Sequence, residues 1–529
     1  MKKTFFSHDK NFYAALFPLL IIISLQNLIS YSVNMADNIM LGAYSQNALS
    51  GAALVNQVFF LIQQAAVVIG DGLVVIASQY WGQKRMEPIR QITGMVLKIA
   101  FGLGIFLIII CSLFPGAILG FFTSDAAILS EAESYLQIIK YTFLLYLVTQ
   151  VLLSALRSVE TVRIAFVISC VSLVVNVSIN YTLIYGRFGF PELGIRGAAI
   201  GTMISRCLEF LIVFIYVIKI DKKLKLFSDK AVFHIDRLLR SDYVKVAVPV
   251  FVSGMLWAIS VPMQTAILGH LSSDAIAANS VASTFYQYMK VVVLAMSSAS
   301  SVMMGKAVGK GNLDEVKAAA RTLSVLDVGV GIILGTILYF TKDFLLAQYT
   351  LSPTASQLAE QLIIIMAVIM VGMAYQMPVG SGIIRGAGDA KFSLYVNMIS
   401  TWGIVLPLSL AAAFWWKWPI PAVVICLQSD QIFKGLPIFL RFRSYKWIHK
   451  LLFIPNFFRS TFPFFTSTPS SSKRLACSPS PPNAKAPASS PFEFTTRKQG
   501  IFSGSGFLWR AFPTARDIFG FPAIAATCP

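Results

Sequence analysis

Asp37 lies inside an apolar run that spans residues 12–41. A carboxylate placed there loses hydration, and an ionisable group within a membrane span is costly, ~2.5–3.5 kcal/mol at a helix centre. Such a group can bind and release a proton, or hold Na+ together with other oxygen ligands, since hard cations prefer carboxylate, carbonyl and hydroxyl oxygen. Asn176 and Asn180 are four residues apart in a later run and so face one side of a helix. Thr202 falls in the run after that. The plainer alternative is an Asp bonded at a helix end, with the two Asn joining neighbouring helices. Pro18 removes a backbone hydrogen bond from the run that carries Asp37, and a bundle can absorb the resulting kink.

Other residues could line a cavity. Asp71 and Lys290 each lie in an apolar run, and Asp71 would attract a cationic substrate. Gln57, Gln63, Gln64, Trp257, Gln264, Tyr286 and Met296 could supply polar and aromatic walls. Arg206 and Glu209 are three apart and read as a pair with a packing role. Asp327 has no assigned role. The four His are scattered over loop positions, and no HExxH, GxSxG or P-loop stands at a plausible place. These absences argue against an enzyme. No Cys/His spacing suggests a metal site or a disulfide framework, and no cofactor is expected beyond the transported ion.

The elements that must position these residues are membrane helices. Of 529 residues, 56% are hydrophobic and 13% charged, against about 25% charged in a soluble domain. Twelve runs approach the roughly 20 apolar residues a span needs. They are 12–41, 52–78, 95–122, 134–156, 164–186 and 196–218, then 244–270, 276–304, 322–344, 357–384, 392–415 and 419–440. The basic residues alternate with loop number. Lys84, Arg85 and Arg90 follow the second run, Arg157 and Arg163 the fourth, and Lys306 and Lys310 the eighth, whereas the opposite loops hold little more than Arg187, Arg196, Lys342 and Lys417. This asymmetry places both ends of the helical domain in the cytoplasm and supports an even number of spans. The net charge of +19 is accounted for by these loops and implies no nucleic acid. The first run lacks a small-residue cleavage site and is expected to be retained.

The two halves repeat. Leu41-Gly42 corresponds to Leu268-Gly269, and Gly82 to Gly309, both at an offset of 227; Arg157 to Arg163 corresponds to Arg385 to Lys391 at 228. Even numbers of spans per half make the repeats parallel, an arrangement used for alternating access around a central cavity. The expected organisation is a six-helix lobe over 1–218, a basic linker over 219–243, and a second lobe over 244–451. Residues 452–529, rich in Ser, Pro and Ala over 466–491, read as a disordered or non-native tail.

Several stretches carry a family resemblance: Asp37-Asn-Ile-Met-Leu-Gly42, Ser78-Gln-Tyr-Trp-Gly82, Ala155-Leu-Arg157, Asn176 through Gly186, Phe190 through Thr202, Ile384-Arg-Gly-Ala-Gly-Asp389, and Arg441 through Trp447. Taken in order over about residues 10–450, they resemble the multidrug and toxic compound extrusion (MATE) family. The resemblance implies an all-α polytopic fold of twelve transmembrane helices in two pseudo-symmetric bundles. It implies efflux of cationic or amphipathic small molecules, driven by inward H+ or Na+ flow. It carries a cation-coupling role to Asp37, Asn176, Asn180 and Thr202, with Na+ at Asp37 as the one metal to consider. It also links bending of the helix at Pro18 to protonation. Some relatives have Asp where Asn180 stands, which leaves H+ and Na+ both open. Others carry acids in the seventh and tenth spans, where residues 249–271 and 361–384 have none, so coupling is expected to rest on the first half. The expected setting is a bacterial cytoplasmic membrane, with the chain a monomer in contact with lipid. The alternative function is a lipid-linked oligosaccharide or lipid flippase of similar two-lobed build, which would need cationic groups for phosphate.

Overall fold

The computed structural model describes residues 6–450 apart from residues 8, 124, 229, 270, 272 and 348–351; the expected tail lies outside the described residues. These residues form twelve long helical rods. The first six are α1 (Lys10–Tyr44), α2 (Gln46–Gly82), α3 (Met86–Leu113), α4 (Ala126–Ser158), α5 (Arg163–Ile184) and α6 (Ile195–Ile215). The second six are α7 (Arg237–Gly269), α8 (Ser273–Lys310), α9 (Leu313–Leu346), α10 (Pro353–Ile384), α11 (Ala390–Trp415) and α12 (Ile420–Ser444). Eleven are long and apolar enough to cross a membrane. The remaining rod, α6, continues through the π-helical turn Tyr216–Ile220. The twelve-span, all-helical expectation holds.

The ends follow local chemistry. Asp125 begins α4 by accepting from the backbone N–H of Ala127 and Ile128, and Asn312 begins α9 by accepting from those of Asp314 and Glu315. Both satisfy N–H groups that a first helical turn leaves open. Ser352 caps α10, and Pro353 occupies the first turn, where its missing N–H has no consequence. α1 runs unbroken through Pro18. Two boundaries differ from the hydropathy reading. α7 starts at Arg237, ahead of residue 244, because its first turns are polar yet helical. α12 is not one continuous helix: it is built from Ile420–Gln428, Asp430–Phe433 and Gly435–Ser444.

Each half has its own apolar core. In the first, α4 is central and packs on α2, α3 and α6, while α5 packs on α6 and α1. In the second, α10 packs on α9 and α8, and α7 on α11. A third cluster joins the halves: Leu16, Leu19 and Ile23 of α1 and Val74 of α2 meet Ala295, Ala299 and Val302 of α8 and Ile383 of α10. α1 therefore belongs to both. Its early residues are packed into the shared core, and α5 lies along it in the first half.

The halves come into close contact at the end where α2 and α4 finish and α1 begins. A Cβ on Gly82 would run into the Lys306 carbonyl and the Gly309 backbone, so this contact between α2 and α8 demands glycine. The basic linker does not hang free. Arg90 Nε donates to the Leu224 carbonyl at 2.8 Å, and Lys98 Nζ to that of Phe233 at 3.0 Å, which ties the linker to α3.

A polar pocket within the first bundle

The residues singled out around Asp37 come together. Asn180 Nδ2 donates to Asp37 Oδ1 at 2.6 Å and to Asn176 Oδ1 at 3.3 Å. Asn176 Nδ2 donates in turn to Thr202 Oγ1 at 3.4 Å. One chain of polar contacts thus runs from α1 through α5 to α6. Asn176 and Asn180 are both buried, and their four-residue spacing puts them on one face of α5. Two local features hold the chain in place. Tyr185 Oη donates to the Met40 carbonyl at 2.8 Å and pins the end of α5 to α1. Gly201 lets α6 pass against Asn180: a Cβ there would collide with Asn180 Oδ1.

That Oδ1 is buried and has no hydrogen-bond partner. An orphaned amide oxygen inside protein costs about 1–3 kcal/mol. The same amide bonds Asp37 and Asn176, which line a pocket together with Asn34, Asn56, Tyr135 and Thr202, with Ser172, Ser205 and Arg206 contributing to the wall. The pocket offers carboxylate, amide and hydroxyl oxygens, which is the donor set for a proton or a small hard cation. It holds a single carboxylate, and no group of three or more His, Cys, Asp or Glu assembles among the described residues. Arg206 also reaches the pocket, but its Nη1 is engaged by Glu209 Oε2 at 2.7 Å and its guanidinium lies over the Tyr146 ring at 5.0 Å. The pairing read from their spacing is therefore present.

The residues expected to line a substrate cavity do not all share one setting. Asp71 is not a free negative charge. Its Oδ1 accepts from Arg157 Nη2 at 3.2 Å and its Oδ2 from Arg385 Nη2 at 2.9 Å. Two guanidinium groups satisfy it, which removes the attraction for a cation expected of it. Tyr286 and Met296 also depart from the expectation. Both are buried; Tyr286 sits in the second core, its hydroxyl on Met373 Sδ at 2.9 Å, so packing accounts for it. Gln63, Gln64 and Gln264 are half-buried and Gln57 is exposed. Trp257 meets Phe60 of α2 at 6.5 Å between ring centroids, and Lys290 Nζ stands 4.9 Å from the Trp257 ring centre.

Three features went unread in the sequence. The first is the Arg157–Asp71–Arg385 bridge between the halves, joined by Lys306 Nζ to Glu160 Oε1 at 2.6 Å. The repeat explains its form. Arg157 and Arg385 are equivalent positions, and at the offset of 227 the partner of Asp71 is Ser298, which accepts from Arg157 Nη1 at 3.5 Å. The second is Asp430 on α12, paired with Lys434 Nζ at 2.7 Å, with both side chains buried. Their four-residue spacing inside an apolar run was a usable signal. The third is Asp327 on α9, fully buried, with neither carboxyl oxygen hydrogen-bonded among the described residues.

The MatE family model matches residues 23–182 and 249–410, the two bundles. The chain is 25% identical over 448 residues to the uncharacterized transporter YisQ of Bacillus subtilis, covering 84% of this chain and 96% of YisQ. It is 24% identical over 422 residues to the probable multidrug resistance protein NorM of Thermotoga maritima, covering 80% and 90% of the two chains. A crystal structure of a mutant of the Vibrio cholerae MATE transporter VcmN superposes with a TM-score of 0.75 at 18% identity, over 83% of this chain and 98% of that one. The family match covers more than half of the residues and falls once on each repeat, so the chain belongs to the MatE family of multi-pass membrane transporters.

Proposed function

We propose that this protein exports small amphipathic molecules, drugs among them, by cation antiport, with the two bundles giving alternating access to a cavity between them. Asp37 is the coupling group, assisted by Asn180, Asn176 and Thr202, and the coupling ion is H+ or Na+. The observation that carries this reading is the position of α1. Asp37 near one end of the helix belongs to the polar pocket of the first bundle, while Leu16, Leu19 and Ile23 near the other end belong to the core shared with the second. A cation entering or leaving the pocket changes the charge and hydrogen bonding of Asp37. Movement of α1 then transmits that change to the seam between the bundles. Multidrug resistance proteins among the relatives support the export reading.

The basic loops lie at the end where the Asp71 bridge joins the bundles, and the reading puts that end in the cytoplasm. The bridge then acts as the inner gate of a state closed to the cytoplasm. Turnover requires Asp71 to part from Arg385 while it keeps Arg157 of its own bundle.

The test is dye export from membrane vesicles under separately imposed pH and Na+ gradients. Export driven by one gradient and abolished by its collapse identifies the ion. Absence of export under both, with rescue of envelope glycan synthesis in a flippase-deficient strain, would replace this reading with lipid flipping.

A further inference from the structure

Lys290 is a half-buried cation in the middle of α8 without an acidic partner. Arg206 and Lys434, two other cations within the spans, each have a carboxylate oxygen at 2.7 Å. Among the described residues no carboxylate oxygen lies within 4.0 Å of Lys290 Nζ, whose recorded contact is the face of Trp257 at 4.9 Å. Asp430 attracts it from a distance. However, the two Asp430 oxygens already accept from Gln431 Nε2 at 2.9 Å and Lys434 Nζ at 2.7 Å. Asp327 on α9 is buried and unbonded, yet neither of its oxygens lies within 4.0 Å of Lys290 Nζ, and three more acids in the spans are already engaged. Asp71 is held by two arginines, Glu209 by Arg206, and Asp37 faces its own pocket.

The surroundings of Lys290 are at the seam. Trp257 on α7 meets Phe60 on α2 of the opposite bundle. Gln57 and Gln64 stand three residues before and four after Phe60, on the same face of α2. The second bundle thus brings to this seam an aromatic ring with an ammonium near its face, and the first bundle an aromatic ring between two amides. An ammonium at membrane depth without a counter-ion is costly, and an anion arriving from outside the protein would relieve that cost.

We infer that Lys290 recognises an anionic substituent of the transported molecule, so that the substrates are planar aromatic compounds bearing a carboxylate, in place of the simple lipophilic cations expected from the family resemblance. The aromatic part lies against Trp257 and Phe60, and the carboxylate meets Lys290 Nζ. This substrate class rests on the export reading.

The test uses three probes with one fluorophore: pyrenebutyrate, its primary amide, and a pyrene-alkyl trimethylammonium. Equilibrium binding to the purified full chain in lipid nanodiscs is measured for the wild type, Lys290→Met and Lys290→Arg. The expected order for the wild type is carboxylate tighter than ammonium by at least ~10-fold. Lys290→Met loses that preference and Lys290→Arg keeps it. Equal or tighter binding of the ammonium to the wild type overturns the inference, as does a preference that survives Lys290→Met. If Lys290→Met does not fold, the wild-type order and Lys290→Arg still decide. Vesicle export of the same probes separates the two claims: failure to export any of them removes the export reading, whereas a reversed binding order removes only the substrate class.

Discussion

Asn180 connects the parts of the pocket, because one amide nitrogen serves both Asp37 and Asn176. Asn180→Ala leaves Asp37 and Asn176 without that donor. We expect gradient-driven export to fall ~10-fold or more, a loss of the size of one hydrogen bond to a charged group, ~1.5–3 kcal/mol, with protein yield maintained; export within a factor of two of wild type contradicts the role. This site was largely readable in the sequence. An acid in an apolar run is conspicuous, and the 176/180 spacing fixes a shared face. Asp71 was misread for a physical reason: its partner Arg385 is 314 residues away, and hydropathy gives no information on which charges from different helices meet. Asp430 and Lys434 are the reverse case, since their spacing was local and could have been used.

At the scale of the helix, the close pass of α6 over α5 sets the geometry of the pocket. Gly201 has no room for a Cβ against Asn180, whereas Gly102 on α3 has nothing within 4 Å of its would-be Cβ. Gly201→Ala is expected to displace Asn180 and cut export severely, while Gly102→Ala, matched in chemistry, leaves it unchanged. Equal activity of the two variants in the vesicle assay would show that the α5–α6 approach does not matter. The positions of the rods were legible because each needs about 20 apolar residues. The breaks in α12 were not, since an apolar run has the same hydropathy whether its helix is continuous or interrupted around a buried ion pair.

For the whole molecule, the repeat was visible in sequence as a steady offset, and it reappears as Arg157 and Arg385 converging on Asp71. Asp71→Asn removes the charge that holds the bundles together at the basic end. Spin labels placed at exposed Lys84 and Lys310 in a cysteine-free background should then report a broadened distance distribution with a longer component. A distribution identical to that of the unaltered chain would show that the bridge does not gate. The residue that powers this movement is a separate matter. Its direct test is Asp37→Asn in everted vesicles, with export followed under an imposed ion gradient and binding of the same compound followed in parallel. The account predicts that binding persists and gradient-driven export disappears; export at the wild-type rate in Asp37→Asn would contradict it.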